Sequence, residues 1–248
     1  MHPKSVEIKA TLTGTDVDRA VAALPLADAK TWRIVFCEDV TGGVAPLTPL
    51  LEIGVILRVR GKSGSKGDST VKLRPCRWSQ LTADFFANAE SDESELKIEA
   101  DWAGSKRPLT ASLTADWDDD RLDSVRSGGL PLSGLFTEEQ RRFLEQCSSS
   151  PVNLDALTAL ADIDATRWKE FPIEVETSEL NCRAERWVIG GAFDFLEVSI
   201  VSDVFRADRD QAALHYFLAC HSLAVEPNQD NKTQRVLNHL VASTARTQ

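Results

Sequence analysis

No CxxC pair occurs in this chain, and its five cysteines, Cys37, Cys76, Cys147, Cys182 and Cys220, are scattered and odd in number. That excludes a disulfide framework and a paired-thiolate zinc site, and it leaves ordinary buried thiols as the expectation. No apolar run approaches the roughly 20 residues that span a bilayer, and the opening MHPKSVEIK has no signal-like apolar segment. The expectation is therefore a cytoplasmic protein without a membrane partner. Positive charge is in short supply, with 28 Lys and Arg against 38 Asp and Glu and a net charge of -10. A generic nucleic-acid surface is not expected from such a balance. The phosphate-loop pattern GxxxxGK[ST] and the dinucleotide pattern GxGxxG are both missing, so nothing supports an ordinary nucleotide fold. His215 and His221 lie six apart, off the i, i+4 spacing of helical metal pairs, and the run DWDDDRLD lacks the glycine and distal glutamate of a calcium loop. They are read as ordinary helix or surface histidines and as a surface turn.

What is present is the composition of a folded domain, 248 residues with 42% hydrophobic and 27% charged. The most informative stretch is residues 54–75, GVILRVRGKSGSKGDSTVKLRP, which reads as two strands joined by a polar loop, GKSGSKGDS. Val55, Leu57 and Val59 share one face and Ile56, Arg58 and Arg60 the other, because strand side chains alternate with period two. Val71 and Leu73 alternate likewise with Thr70, Lys72 and Arg74. Pairing the apolar faces sets Arg58, Arg60, Lys72 and Arg74 on one surface, where like charges repel unless an anion sits among them. In an acidic protein, such strands suggest a local anion site; the plainer reading is a solvated outer face.

Taken in order, residues 4–12 form an opening strand, with Val6, Ile8, Ala10 and Leu12 opposite Ser5, Glu7, Lys9 and Thr11, followed by a helix up to Pro25 and a strand at residues 31–39. After the hairpin, LTADFFANAE reads as a short helix and SDESE as a solvated loop. Strands follow at residues 96–102 and 111–117, and Thr137 caps the helix EEQRRFLEQC with acidic residues in its first turn. Asn153 is expected to cap a second helix, LDALTALADI. Strands are then expected at residues 165–171, 172–178 and 183–189, a turn at Gly190 and Gly191, a strand in AFDFLEVSIV, and helices at residues 208–225 and about 232–245. At least seven segments thus carry one aliphatic and one charged face. Periodicity alone admits both a sandwich with charged faces in solvent and a closed barrel with polar faces inward.

The order of these segments resembles the CYTH, or triphosphate tunnel metalloenzyme, superfamily. Ser5-Val6-Glu7-Ile8-Lys9 is similar to its Glu-x-Glu-x-Lys opening strand, Leu57-Arg58-Val59-Arg60 to its Leu-Arg-x-Arg strand, and Thr70-Val71-Lys72-Leu73-Arg74 to the following Lys-bearing strand. Lys97-Ile98-Glu99-Ala100-Asp101 resembles the Arg-x-Glu-x-Glu strand, and Glu197-Val198-Ser199 the late Glu-x-Glu, preceded by Arg183 and Arg186 as the late basic strand. The resemblance runs over about residues 4–202. It implies a mainly β, α+β protein, an eight-stranded antiparallel β-barrel tunnel with helices packed outside, in a single domain over residues 1–248.

It also implies a function: metal-dependent hydrolysis of a triphosphate compound, either tripolyphosphate or thiamine or nucleoside triphosphate, inside a charged tunnel. The alternatives are a class IV-type adenylate cyclase and a non-catalytic polyphosphate-binding protein. The resemblance assigns Lys9, Arg58, Arg60, Lys72, Arg74 and Arg186 to the substrate, Glu7, Glu99, Asp101 and Glu197 to Mg²⁺ or Mn²⁺, and Lys9, Glu99 and Glu197 to catalysis. Arginines would grip phosphate oxygens in pairs, while a metal would offset charge on the transferred phosphoryl group and activate water. The chain departs from the pattern where Ser5 and Ser199 replace expected carboxylates, which weakens a site of hard oxygen ligands. Pairing of the remaining carboxylates with the cations, neutralising the charged faces, is the purely structural alternative.

Overall fold

The computed structural model describes residues 3, 5–40, 48–62, 65–83, 90–91, 94–117, 121–175, 178–191, 193–227, 229 and 232–244. Its strands are β1 (Val6–Thr13), β2 (Lys30–Glu38), β3 (Val55–Lys62), β4 (Ser65–Leu73), β5 (Glu90–Ser91), β6 (Ser94–Ala103), β7 (Leu109–Trp117), β8 (Thr158–Ala159), β9 (Ile163–Val175), β10 (Ser178–Ile189) and β11 (Phe193–Ser202). The helices are α1 (Thr15–Ala23), α2 (Pro49–Glu52), α3 (Arg121–Arg126), α4 (Glu138–Cys147), α5 (Ala207–Cys220) and α6 (Lys232–Thr244). The α+β expectation holds. The hydrogen-bonded order β1-β11-β10-β9-β2-β3-β4-β7-β6 returns to β1 through a further β1–β6 pairing. That order has nine strands rather than eight, and the β1–β6 pairing is parallel, so the sheet is mixed and not purely antiparallel. The parallel pair joins two strands far apart in sequence, so no hairpin turn dictates its direction.

The chain divides into two compact units, one of Met1–Trp32, Glu99–Pro108 and Ile163–Lys232, the other of Arg33–Ile98, Leu109–Asp162 and Thr233–Gln248. In the first, β9, β10, β11 and β1 pair in succession, and Val6, Ile8, Ala10 and Leu12 pack with Leu196, Val198 and Ile200 beneath α1 and α5. Val17 and Ala20 of α1 and Leu214 and Leu218 of α5 are fully buried there. In the second, Val55, Leu57, Val59, Val71, Leu73 and Leu113 pack with Phe143 and Leu144 of α4. Each such side chain contributes about 1.5–3 kcal/mol by leaving water. The polar alternates of these strands are thereby committed to the opposite face.

Helix α4 forms where its cap is read: the Thr137 hydroxyl accepts from the Gln140 backbone N–H at 3.2 Å, and the Gln140 side-chain oxygen accepts from the Thr137 N–H at 3.0 Å. Four expectations need correction. The hairpin loop is shorter than GKSGSKGDS, because β3 runs to Lys62 and β4 resumes at Ser65. The second expected helix is only a 3₁₀ turn, Leu154–Ala156; Asn153 does cap it, but Leu160 N–H then donates to Phe36 at 2.9 Å and draws the chain into strand pairing. The strands expected at residues 165–171 and 172–178 are one, with Pro172 accommodated beside a bulge at which Glu170 takes a φ of 54°. The acidic SDESE stretch is partly strand, since β5 and β6 enter it. The expected helix in LTADFFANAE falls mostly outside the described residues, as do residues 118–120 of the DWDDDRLD run, whose end forms α3. Among the described residues no helix is long and apolar enough to cross a membrane.

Candidate functional site

In the second unit, β4 lies between β3 and β7, and register fixes which side chains share its face turned away from the core. Ile56 pairs with Lys72, Arg58 with Thr70 and Arg60 with Asp68; across β4, Lys72 meets Ser112, Thr70 meets Thr114 and Asp68 meets Asp116. On the β2 side, Arg58 and Arg60 stand opposite Phe36 and Ile34, which are buried. The three cations of the strands therefore share a face with hydroxyls and two aspartates, bordered by apolar side chains. Arg60 is gripped by Asp68, with Nε at 3.0 and 2.9 Å from the two carboxylate oxygens. Arg58 donates to the Thr70 hydroxyl at 3.3 Å, and Thr70 lies 3.1 Å from Thr114. Arg74 follows the end of β4, half-buried, with its backbone N–H donating to Gly54 at 2.7 Å.

In the first unit, the face turned away from the core carries Glu7, Lys9 and Thr11 of β1, which stand opposite Val201, Ser199 and Glu197 of β11. Arg183 and Glu185 of β10 stand opposite Ser199 and Glu197. The parallel ladder sets Glu7 beside Asp101, with Glu99 two residues earlier on β6. Lys9 bridges the pair, its Nζ 2.7 Å from Glu7 and 3.0 Å from Asp101, whose side chain is 0% exposed. Of the residues assigned from sequence, Glu7, Lys9 and Asp101 are thus in direct contact, and Glu99 and Glu197 share their face. Ser5, which opens this strand, accepts from the Ala100 N–H through its carbonyl at 3.2 Å.

Arg186 is elsewhere. It stands opposite Leu196, a core residue, and its guanidinium meets Asp194 at 2.9 and 2.6 Å and Asp18 of α1 at 3.1 Å. An odd separation along a strand reverses the face, so Arg183 and Arg186 cannot serve together. The basic residue that accompanies Glu197 is Arg183. Asp68, Glu185, Thr70 and Thr114 are further members of the two faces that were not singled out. Glu185 was signalled by its period-two spacing from Arg183, whereas Asp68 was hidden in a run that reads as loop.

The Mg²⁺ or Mn²⁺ implied by the resemblance does not fit the donors as they are folded. Among the described residues no group of three His, Cys, Asp or Glu side chains could hold a metal ion. Where Glu7 and Asp101 come together, an ammonium lies between them.

No protein-family model matches the sequence, and no curated protein is significantly similar to it. Solved structures do match its fold. One is a candidate adenylate cyclase from Bacillus halodurans, 15% identical, with a TM-score of 0.56 over 94% of this chain and 98% of the other. A protein from Pyrococcus horikoshii is 9% identical with a TM-score of 0.44 over 90% of this chain and 94% of the other. A candidate adenylate cyclase from Vibrio parahaemolyticus is 11% identical with a TM-score of 0.39 over 89% of this chain and 92% of the other. The first of these likenesses extends over nearly the whole chain and shows a shared fold.

Proposed function

We propose that this protein binds a triphosphate compound, with nucleoside triphosphates the first class to test, and does not turn it over. The observation that carries the reading is the β3–β4 face, where Arg58, Arg60 and Lys72 stand among the hydroxyls of Thr70, Ser112 and Thr114 on the side away from the core. A linear triphosphate is a chain of anions. Guanidinium groups bind its oxygens in pairs, an ammonium acts as a point charge, and hydroxyls donate to oxygens left over. The fold shared with the Bacillus halodurans structure supports a nucleotide-type ligand, because that protein is a candidate adenylate cyclase.

Hydrolysis assisted by metal, which the resemblance implies, calls for carboxylates that converge on an ion, and the donor set described above does not. Cyclisation of ATP is the second reading, favoured by the description of that same structural neighbour. Calorimetric titration of the full chain with ATP, thiamine triphosphate and tripolyphosphate, followed by assays for phosphate and cyclic nucleotide, tests all three. Binding that disappears in Arg58→Ala, Lys72→Ala and yields neither product is the expected result. Phosphate release would replace the binder with a hydrolase, and cyclic nucleotide without phosphate would replace it with a cyclase.

A further inference from the structure

Glu7 and Asp101 are two carboxylates that the parallel ladder places side by side on the first unit. The position between them is filled by the chain itself. Lys9 Nζ lies 2.7 Å from Glu7 Oε2 and 3.0 Å from Asp101 Oδ1, and the three side chains are 13%, 23% and 0% exposed in the order Lys9, Glu7, Asp101. An ammonium donates to carboxylate oxygens in the same direction that a hydrated divalent ion would approach them, so the two cations compete for one place. Lys9 competes at high effective concentration, because it lies two residues from Glu7 on one strand and the period-two pattern turns both to the same side. A divalent ion entering there would have to displace the ammonium and then sit beside it. The neighbouring positions do not tip the balance toward metal: Ser199 stands directly across from Lys9, and Ser5 precedes Glu7 by two. Both offer neutral hydroxyls where further carboxylates would be needed.

We propose that the Lys9 ammonium is the resident cation of this face, held in the place of a divalent metal, and that the polyphosphate ligand proposed for the β3–β4 face is bound without metal. The second half of this statement rests on the triphosphate-binding reading above; the first half stands on the Glu7–Lys9–Asp101 geometry alone.

The test has two arms. In the first, Mn²⁺ is titrated into the full chain without phosphate, with free Mn²⁺ read by electron paramagnetic resonance and the melting temperature read in parallel. The wild type is expected to take up no Mn²⁺. Lys9→Met, which keeps the length of the side chain and removes its charge, is expected to take up about one Mn²⁺ per chain and to regain melting temperature as it does. Should Lys9→Met not fold in metal-free buffer, recovery of its fold on adding Mn²⁺ is the readout. Stoichiometric uptake by the wild type overturns the proposal, and so does a folded Lys9→Met that ignores Mn²⁺. In the second arm, tripolyphosphate is titrated into wild type with EDTA or with excess Mg²⁺, and the two affinities are expected to agree within about twofold. Binding that requires Mg²⁺ overturns the proposal. Failure to bind under either condition removes the ligand reading and leaves the first arm to decide on Lys9.

Discussion

Asp68 faces Arg60 across the β3–β4 ladder and holds its guanidinium by both carboxylate oxygens, with Nε at 3.0 and 2.9 Å and a terminal nitrogen at 2.8 Å. The side chains are 7% and 17% exposed, so the pair is largely withdrawn from water. The repulsion that would accompany Arg58 and Arg60 on adjacent positions of one face is thus relieved from within the chain. Thr70 extends the arrangement, accepting from Arg58 at 3.3 Å and lying 3.5 Å from Asp68.

Removing that internal counter-ion should have two opposite effects. Asp68→Ala removes the two-oxygen grip on a mostly buried guanidinium, which costs about 3 kcal/mol of stability. It also takes an internal anionic competitor away from Arg60, and triphosphate affinity should rise about tenfold, or about 1.4 kcal/mol. Urea unfolding and calorimetric titration of the same variant measure the two. Lost stability with unchanged affinity would take Arg60 out of the anion site.

Gln140 presents a similar case of buried polarity, here fully satisfied. It is 0% exposed, and its side-chain amide donates to the carbonyls of Ser69 at 2.9 Å and Leu113 at 3.1 Å while its oxygen accepts from the Ser69 hydroxyl at 2.9 Å and the Thr137 N–H at 3.0 Å. One side chain thereby caps α4 and docks it on β4 and β7. Gln140→Leu keeps the volume and strands those partners without bonds. At about 1–3 kcal/mol for each buried group left unsatisfied, the loss should reach about 3 kcal/mol or more. Denaturant titration checks this, and a change below about 1 kcal/mol would show that water replaces the amide.

The alternation of the strands, the cap at Thr137 and the turn at Gly190 and Gly191 are local properties, and they were legible. Long-range pairing was not. Nothing in residues 5–9 specifies a parallel partner at Ala100–Ala103, yet that partner creates the Glu7–Lys9–Asp101 contact. Asp68 was misread because Gly67 beside it signals a turn. In the fold Gly67 is instead a point of close approach, where a Cβ would lie 2.7 Å from the Trp117 ring and 2.6 Å from the Arg60 carbonyl. Residues 154–163 have helical composition, but pairing with β2 overrides it.

Glu38 gives the stability a pH dependence. Its carboxylate is buried and accepts from the N–H groups of Leu50 at 2.6 Å, Asp39 at 3.2 Å and Leu51 at 3.4 Å. Burial nevertheless outweighs these donors and pushes its pKa up to about 7. A carboxyl that holds its proton more tightly folded than unfolded contributes stability fully below the unfolded value of about 4.3, and that contribution is lost as pH rises through about 7. His215, which burial lowers, acts in the opposite sense, so the comparison must be made between proteins rather than along one curve. Glu38→Gln keeps an acceptor and cannot titrate. The wild type should lose stability relative to this variant between about pH 4.3 and 7, measured by urea unfolding across the range. A constant difference would mean that Glu38 does not titrate in that window.

The two arginines of β10 provide the sharpest comparison of face assignments. Arg183 stands opposite Ser199, on the side of Glu197 and Lys9, and among the described residues it forms a long contact with Glu170 at 3.9 Å. Arg186 stands opposite Leu196 and is bound to Asp194 and Asp18 on the helix-covered side. If alternation leaves Arg183 outside the packing of the first unit, Arg183→Ala should change stability by less than about 0.5 kcal/mol, because its own ion pair is long and partly exposed. Arg186→Ala should lower stability by up to about 1 kcal/mol through loss of its two partners. Urea unfolding of the two variants side by side measures both changes. A larger loss of stability in Arg183→Ala than in Arg186→Ala would overturn the face assignment.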